Sequence, residues 1–256
     1  MTNETAVPSG ILLIDKPSGW TSHDIVAVTR GVIGEKHVGH GGTLDPGATG
    51  LLPVLIGSAT KIVTTLHAAR KVYAAWIRFG SETTTDDAAG TPTRSAGRPA
   101  REDAERALAT FRGVIQQHPP AYAAVKVDGR RSYDRAREGD LAEPAAREVQ
   151  VFRLEMARWS DDDLAVLVVC SSGTYVRSIA RDVGRAAGSA AHLAALRRLA
   201  VGALDVRDAI GIEALRGAGR EAAIARIRPF SDETLVLDER YLSQSADRLV
   251  PKEGAS

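Results

Sequence analysis

Apolar and polar positions alternate in well-marked blocks along the first eighty residues. Residues 11–14, Ile-Leu-Leu-Ile, are an unbroken apolar run closed by Lys16-Pro17-Ser18-Gly19, which predicts a short buried strand and a turn. Thr21 or Ser22 then caps a helix, with Asp24 placed against the positive end of its dipole. Ile25, Val28 and Val32 recur at helical spacing, and Gly34 ends the run. Residues 51–56, Leu-Leu-Pro-Val-Leu-Ile, predict a second buried strand. Ser58 opens a helix carrying Ile62, Val63 and Leu66, and residues 71–79 are apolar on both alternating faces, as inside a sheet.

The later pattern is looser. Residues 81–99 are polar and aperiodic, and read as one long loop. Residues 102–112 predict an amphipathic helix with Ala104, Leu108 and Phe111 aligned, and residues 148–158 and 164–170 predict strands. Residues 174–187 predict a helix with the stripe Val176, Ile179, Val183 and Ala186, and a last helix is expected over 191–199. The tail, 243–256, has no pattern and is expected to be disordered. Strands and helices intersperse without strict βαβ alternation, which points to an α+β fold on a mixed sheet.

Composition narrows the class. The chain has 256 residues, 44 % of them apolar and 25 % charged, as in an ordinary globule of one large domain or one domain with an appendage. No apolar run approaches the roughly 20 residues of a membrane span. Met1 to Gly10 lacks the apolar core of a signal peptide. The single cysteine, Cys170, lies in an apolar run and reads as buried filler in a reducing, cytoplasmic setting. Net charge is +1, so any nucleic-acid surface has to be a local patch.

The densest chemistry is in residues 39–50, Gly-His-Gly-Gly-Thr-Leu-Asp-Pro-Gly-Ala-Thr-Gly: five glycines, His40, and one carboxylate, Asp45. Glycines let a backbone approach a ligand closely, and Pro46 pushes Asp45 out of the helical region. Asp45 is then either a carboxylate held in a cleft or the capping residue of a tight turn. Further on, Gly173-Thr174-Tyr175-Val176-Arg177 opens a helix. Arg177 stands in its first turn, where a cation needs an anionic partner, and Asp45 is the natural candidate. Arg181 and Arg185, one and two turns further, read as a solvated basic face. Tyr73 lies on the two-faced strand, where a tyrosine is usually a core residue. Residues 120–139 hold five cations, three acids and two tyrosines, a mixture suited to a phosphate backbone with exposed bases. No dinucleotide fingerprint or P-loop is present, and His40 has no partner at metal-ligand spacing, so neither cofactor nor metal is expected. His23, His37, His67, His118 and His192 suggest no pairing.

Together these segments resemble the TruB family of tRNA pseudouridine synthases. Every fixed position of its Gly-His-x-Gly-x-Leu-Asp-Pro-x-Ala-x-Gly core is present at Gly39–Gly50, preceded by Leu12-Leu13-Ile14-Asp15-Lys16-Pro17-Ser18-Gly19. Gly173-Thr174-Tyr175-Val176-Arg177 and the Pro120…Gly139 segment match two further motifs. The resemblance runs from about Gly10 to about Asp208. It implies the pseudouridine synthase fold, a mainly antiparallel central sheet flanked by helices, and isomerisation of the uridine at position 55 in the tRNA T-loop. It implies Asp45 as the catalytic residue; His40, Tyr73, Tyr175, Arg177 and Leu196 as substrate contacts; and Lys126, Arg130, Arg131, Tyr133 and Arg137 as RNA contacts. Leu196 equally suits an apolar core stripe. Lys16, Gly41 and Pro46 support the site, and the chain is expected to act as a monomer on the T-arm.

Two departures stand out. Thr84 takes the place of the first aspartate in the family's Thr-Asp-x-x-Asp loop, while Asp87 matches the second. Residues 10–210 make up the expected catalytic domain, and 211–256 are too short for the family's full C-terminal RNA-binding domain. Leu235-Val236-Leu237 is the candidate first strand of a truncated one. The rival functions are a tRNA-binding or tRNA-folding protein without essential catalysis, and a glycoside or nucleoside hydrolase using Asp45. The hydrolase would need a second carboxylate, for which Asp182 and Asp87 are the candidates.

Overall fold

The computed structural model describes residues 6–123, 126–127, 130–131, 144–161 and 163–251. Strand β1 (Gly10–Lys16) leads into helix α1 (Ser22–Ile33). Thr21 caps α1 and forms a box with Asp24. The Thr21 hydroxyl accepts from the Asp24 amide at 3.1 Å, and the Asp24 carboxylate accepts from the Thr21 amide at 2.9 Å. Two otherwise orphaned donors are thereby satisfied. Gly34 closes the helix in the left-handed region, at φ 71°. The buried face is Ser22, Ile25, Val26, Thr29 and Ile33, so Val28 and Val32 fall at its edge.

Strand β2 (Val38–His40) and β3 (Thr49–Ile56) flank the Asp45 loop. A 3-10 turn (Gly57–Ile62) runs into α2 (Val63–Ala68), and then come β4 (Lys71–Phe79), β5 (Ser81–Thr83) and β6 (Pro92–Ser95). Helix α3 (Arg101–Thr110), β7 (Gly113–Gln117), β8 (Lys126–Val127), β9 (Arg130–Arg131), β10 (Arg147–Trp159) and β11 (Asp163–Cys170) follow. Helix α4 (Val176–Ala186), β12 (Ala191–Val201), β13 (Leu204–Asp205), β14 (Ile210–Gly211) and α5 (Ile212–Ile224) come next. Two single-turn helices, α6 (Arg240–Ser243) and α7 (Ala246–Leu249), lie near the C-terminus.

The chain divides into two compact units. One holds the residues up to Tyr73 together with Arg197–Tyr241, and the other holds Ala74–Leu196 with the segment from Leu242. In the first unit the strands run in the order β14–β1–β3–β12. β1 and β3 are antiparallel in unbroken register from Gly10↔Ile56 to Lys16↔Gly50, while β14 is parallel to β1 and β12 is parallel to β3. Helices α1 and α5 pack together. Ile11, Leu13, Leu51, Leu55, Leu66 and Val201 form one core cluster. Each such side chain contributes about 1.5–3 kcal/mol by leaving water.

In the second unit the order is β4–β11–β10–β7, with β10 antiparallel to both neighbours. β11 is buried on both faces from Leu164 to Cys170, whose thiol is buried. Helix α3 packs on α4 and on β10. The fold is α+β on mixed, mostly antiparallel strands, as the pattern indicated.

Three sequence expectations are corrected. Residues 191–199 are strand, not helix. Their Leu-Ala-Ala-Leu-Arg-Arg-Leu run is built of good helix formers at helical spacing, but its backbone is taken up by pairing, at Arg197 and Arg198 with β3 and at Leu193 with Asp87. Residues 81–99 are not a structureless loop, because β5 and β6 pair as a hairpin. Backbone bonds in both directions between Leu193 and residues 86–88 stitch its tip to β12. The tail is ordered through residue 251: Ala246 and Val250 are buried, α7 packs on β10, and Arg153 donates to the Gln244 carbonyl at 2.7 Å. In addition, Leu235 ends a 3-10 turn (Asp232–Leu235) that packs against the first unit's core, where a strand was expected.

Candidate active site

Asp45 sits half-buried at the head of a tight turn, its carbonyl accepting from the Ala48 amide at 3.0 Å. The backbone around it is gripped from three directions. Ser22, the first residue of α1, brackets Leu44: its hydroxyl accepts from the Leu44 amide at 2.9 Å and lies 3.2 Å from the Leu44 carbonyl. Lys16, at the end of β1, donates to the Pro46 carbonyl at 3.1 Å, and the Gly19 amide donates to the same oxygen at 2.9 Å. Arg198, on β12, donates to the carbonyls of Gly42 (3.1 Å), Thr43 (3.3 Å) and Leu51 (2.7 Å). A carboxylate on a loop held at so many main-chain points is preorganised, which electrostatic or nucleophilic catalysis requires.

Lys16 is fully buried. Its ammonium meets three carbonyls, those of Pro17 (3.0 Å), Trp20 (2.7 Å) and Pro46 (3.1 Å), one for each hydrogen. Burial pulls its pKa down to about 8, opposed by the charge of Asp45.

His40 ends β2. The ring of His23 meets it edge-on, with centroids 5.3 Å apart and planes at 85°. Burial first, then the charges of His23, Arg198 and His67, hold its pKa below the ordinary histidine value. Among the described residues nothing hydrogen-bonds its buried Nδ1. Gly41 lies against Leu66, whose side chain a Cβ there would meet at 2.3 Å. Tyr73, on β4, is half-buried.

In the second unit Tyr175 is the N-cap residue of α4. The buried Gln117 side chain clamps its backbone, accepting from the Tyr175 amide at 2.8 Å and donating to the Tyr175 carbonyl at 3.1 Å. The Arg147 guanidinium lies 4.7 Å from the Tyr175 ring centroid and donates to the Gly173 carbonyl. Arg177 is buried; it donates to the carbonyls of Thr85 (3.1 Å) and Tyr122 (3.2 Å) and lies 3.7 Å from the Asp87 carboxylate. These partners offset the unfavourable position of a cation in a first helical turn. Leu196 is half-buried on β12.

The solvated basic face expected of this helix holds for Arg185, which stays exposed, but is overturned for Arg181. Arg181 is only 5 % exposed and donates to Asp86 (2.7 Å), Asp182 (2.8 Å) and the His118 carbonyl (3.1 Å). Arg185 makes a two-pronged pair with Glu82, at 3.0 and 2.7 Å, and Arg94 joins it at 2.7 Å. The β5–β6 hairpin supplies the carboxylates Glu82, Asp86 and Asp87 for this ladder, which spacing along the chain alone does not reveal. Asp86 adopts positive φ, 59°, and burial pushes its pKa up to about 6 against the pull of Arg181 and Arg177. His192 also has a partner: its Nδ1 lies 2.8 Å from the Ser81 carbonyl.

Lys126, Arg130 and Arg131 fall on the antiparallel pair β8–β9. Tyr133 and Arg137 lie outside the described residues. The sequence reading missed Ser22, Gln117, Arg147 and Arg198. For Arg198 a signal existed: two successive arginines on a strand face opposite sides, so one of them turns inward. The mistaken helix at 191–199 hid it.

The model of the TruB family pseudouridylate synthase N-terminal domain matches residues 30–176. A protein of Leifsonia xyli named tRNA pseudouridine synthase B is 50 % identical over 212 residues, 79 % of this chain and 70 % of that protein. One of the same name from Thermobifida fusca is 46 % identical over 218 residues, 80 % of this chain and 74 % of that protein. Among solved structures, one chain of a Cbf5-Nop10-Gar1 complex superposes with a TM-score of 0.66 at 28 % identity, covering 86 % of this chain and 60 % of that one. With the glycine-rich Asp45 loop and the α4 motif in place, these matches show that the chain belongs to the TruB family of pseudouridylate synthases.

Proposed function

We propose that this protein isomerises uridine to pseudouridine at position 55 in the T-loop of tRNA, with Asp45 as the catalytic carboxylate. The supporting observation is the threefold main-chain grip of Ser22, Lys16 and Arg198 on the Asp45 turn. The reaction breaks the N1–C1′ bond, joins C1′ to C5, moves a proton from C5 and returns one to N1. No water is consumed and no second substrate enters, so a single carboxylate suffices. An ionised Asp45 beside C1′ stabilises the electron-poor sugar, by bonding to it or by taking a sugar proton.

In this reading Tyr73 stacks on the target base, and Tyr175, Arg177 and Leu196 are further substrate contacts. His40, kept neutral by its surroundings, fills the space that the base leaves in the RNA. Lys126, Arg130, Arg131, Tyr133 and Arg137 contact the tRNA backbone. Extruding the base costs a few kcal/mol, least in a loop, which favours the T-loop over paired stems. The catalytic domain covers residues 10–210, and the chain works as a monomer in the cytoplasm.

The test uses a tRNA transcript tritiated at C5 of its uridines. Stoichiometric label release by the wild type, mapped to the T-loop and abolished in Asp45→Asn, is the expected result. Binding without release by the wild type would leave only a tRNA-folding role. Free uracil among the products would favour the hydrolase reading.

A further inference from the structure

His40 is flanked by Gly39, Gly41 and Gly42, so its neighbours along the chain bring no side chains to hold its ring. Pairing of β2 with β3 fixes its backbone, with His40 opposite Val54. No such bond fixes the imidazole at its buried Nδ1, which has no hydrogen-bond partner among the described residues. A histidine χ2 is a broad torsion, and without a hydrogen bond a packed neighbour has to narrow it.

That neighbour is His23. Its ring stands edge-on to the His40 ring, with centroids 5.3 Å apart and planes at 85°. Both values lie in the range that aromatic pairs prefer. His23 is exposed, but its backbone is anchored on either side. Before it, the Ser22 hydroxyl accepts from the Leu44 amide at 2.9 Å; after it, Asp24 closes the capping box with Thr21. The first turn of α1 is therefore tied to the same loop that leads from His40 to Asp45. The cap is made by Thr21 and Asp24 and the loop contact by Ser22, so neither depends on the His23 side chain.

We propose that His23 is a positioning residue for His40, its edge-on ring holding the His40 imidazole in one orientation in the free protein so that tRNA meets a surface already set. This rests on the reading above that His40 fills the space left in the RNA by the target base. Fixing a side chain before binding spares the complex the entropy of ordering it, which amounts to roughly 2- to 10-fold in affinity for one side chain.

The experiment compares His23→Ala, His23→Phe, His40→Ala and the double variant His23→Ala/His40→Ala in two ways: steady-state kinetics on tRNA, and NMR of the His40 ring in the free proteins. His23→Ala is expected to raise KM roughly 2- to 10-fold, with the loss falling on KM and not on kcat. His23→Phe keeps an edge-on ring without its nitrogens and should restore KM to within about twofold. Added to His40→Ala, His23→Ala should cost nothing further, because a residue that acts through another has no effect in its absence. In the free protein the His40 ring resonances should shift in His23→Ala as the ring loses its fixed orientation.

Equal losses in His23→Ala and His23→Phe would mean that His23 meets the RNA through its own nitrogens. A full His23→Ala effect in the His40→Ala background would mean that it acts apart from His40. Either result overturns the proposal, and so do unmoved His40 resonances in His23→Ala, without reference to activity. Wild-type kinetics in His40→Ala would instead overturn the reading of His40 in the RNA. A wild type that releases no C5 label would overturn the functional reading itself, and the His40 resonances would then decide the ring contact alone.

Discussion

Gly50 and Arg198 are paired residues on the parallel strands β3 and β12, and a methyl group at Gly50 would lie 2.3 Å from the Arg198 carbonyl oxygen. The last glycine of the loop motif is therefore set by a neighbouring strand, not by the loop's own turn. Gly50→Ala adds this backbone clash to the strain of a side chain at φ 96°. It should destabilise the protein by about 2–4 kcal/mol, read as a lower urea midpoint. Gly47, inside the turn, meets nothing within 4 Å, so Gly47→Ala should change stability by no more than about 1 kcal/mol. Equal losses in the two variants would contradict this account.

Lys16 predicts a pH dependence. Its pKa in the unfolded chain is near 10.4, and burial brings the folded value to about 8. Between these values the unfolded chain binds the extra proton, so stability rises with pH. Denaturation curves at several pH values should show the wild type gaining about 1 kcal/mol over Lys16→Met between about pH 7.5 and 9. Parallel curves would mean that the burial of the ammonium is not penalised.

Gln117 is the test of the α4 entrance. Gln117→Leu keeps the volume but leaves the amide and carbonyl of Tyr175 without their clamp. Stability should fall by about 1–3 kcal/mol. The rate on tRNA should drop further than folding alone explains, because Tyr175 loses its fixed backbone. Wild-type kcat/KM in the folded variant would remove Tyr175 from the pocket proposal.

Arg181 carries the electrostatic ladder. Arg181→Met removes the partner of two carboxylates at once, and Asp86 is left buried. The expected loss is about 3–5 kcal/mol at neutral pH. Below about pH 6 the deficit should shrink, since a raised carboxyl pKa means that the folded state takes up its proton readily there. A deficit independent of pH would place the cost in packing instead of charge.

The sequence alone determined what local chemistry can encode. The Thr21–Asp24 capping box, the Gly34 stop, the buried run of β3 and the single carboxylate in a glycine-rich loop are each written in a few adjacent residues. A carboxylate between Leu44 and Pro46 is recognisable without knowing what surrounds it. Tertiary structure decided what depends on partners far along the chain. The run at 191–199 has the composition and spacing of a helix and became a strand because β3 and the Asp87 segment take up its backbone. Arg181 looks solvated on a helical wheel, but the Asp86 carboxylate it pairs with when buried comes from a hairpin 95 residues earlier. Arg198 looks like a surface charge until its carbonyl partners at Gly42, Thr43 and Leu51 gather round it. Propensity acts over a turn or two, whereas the satisfaction of a buried charge is settled only when distant segments meet.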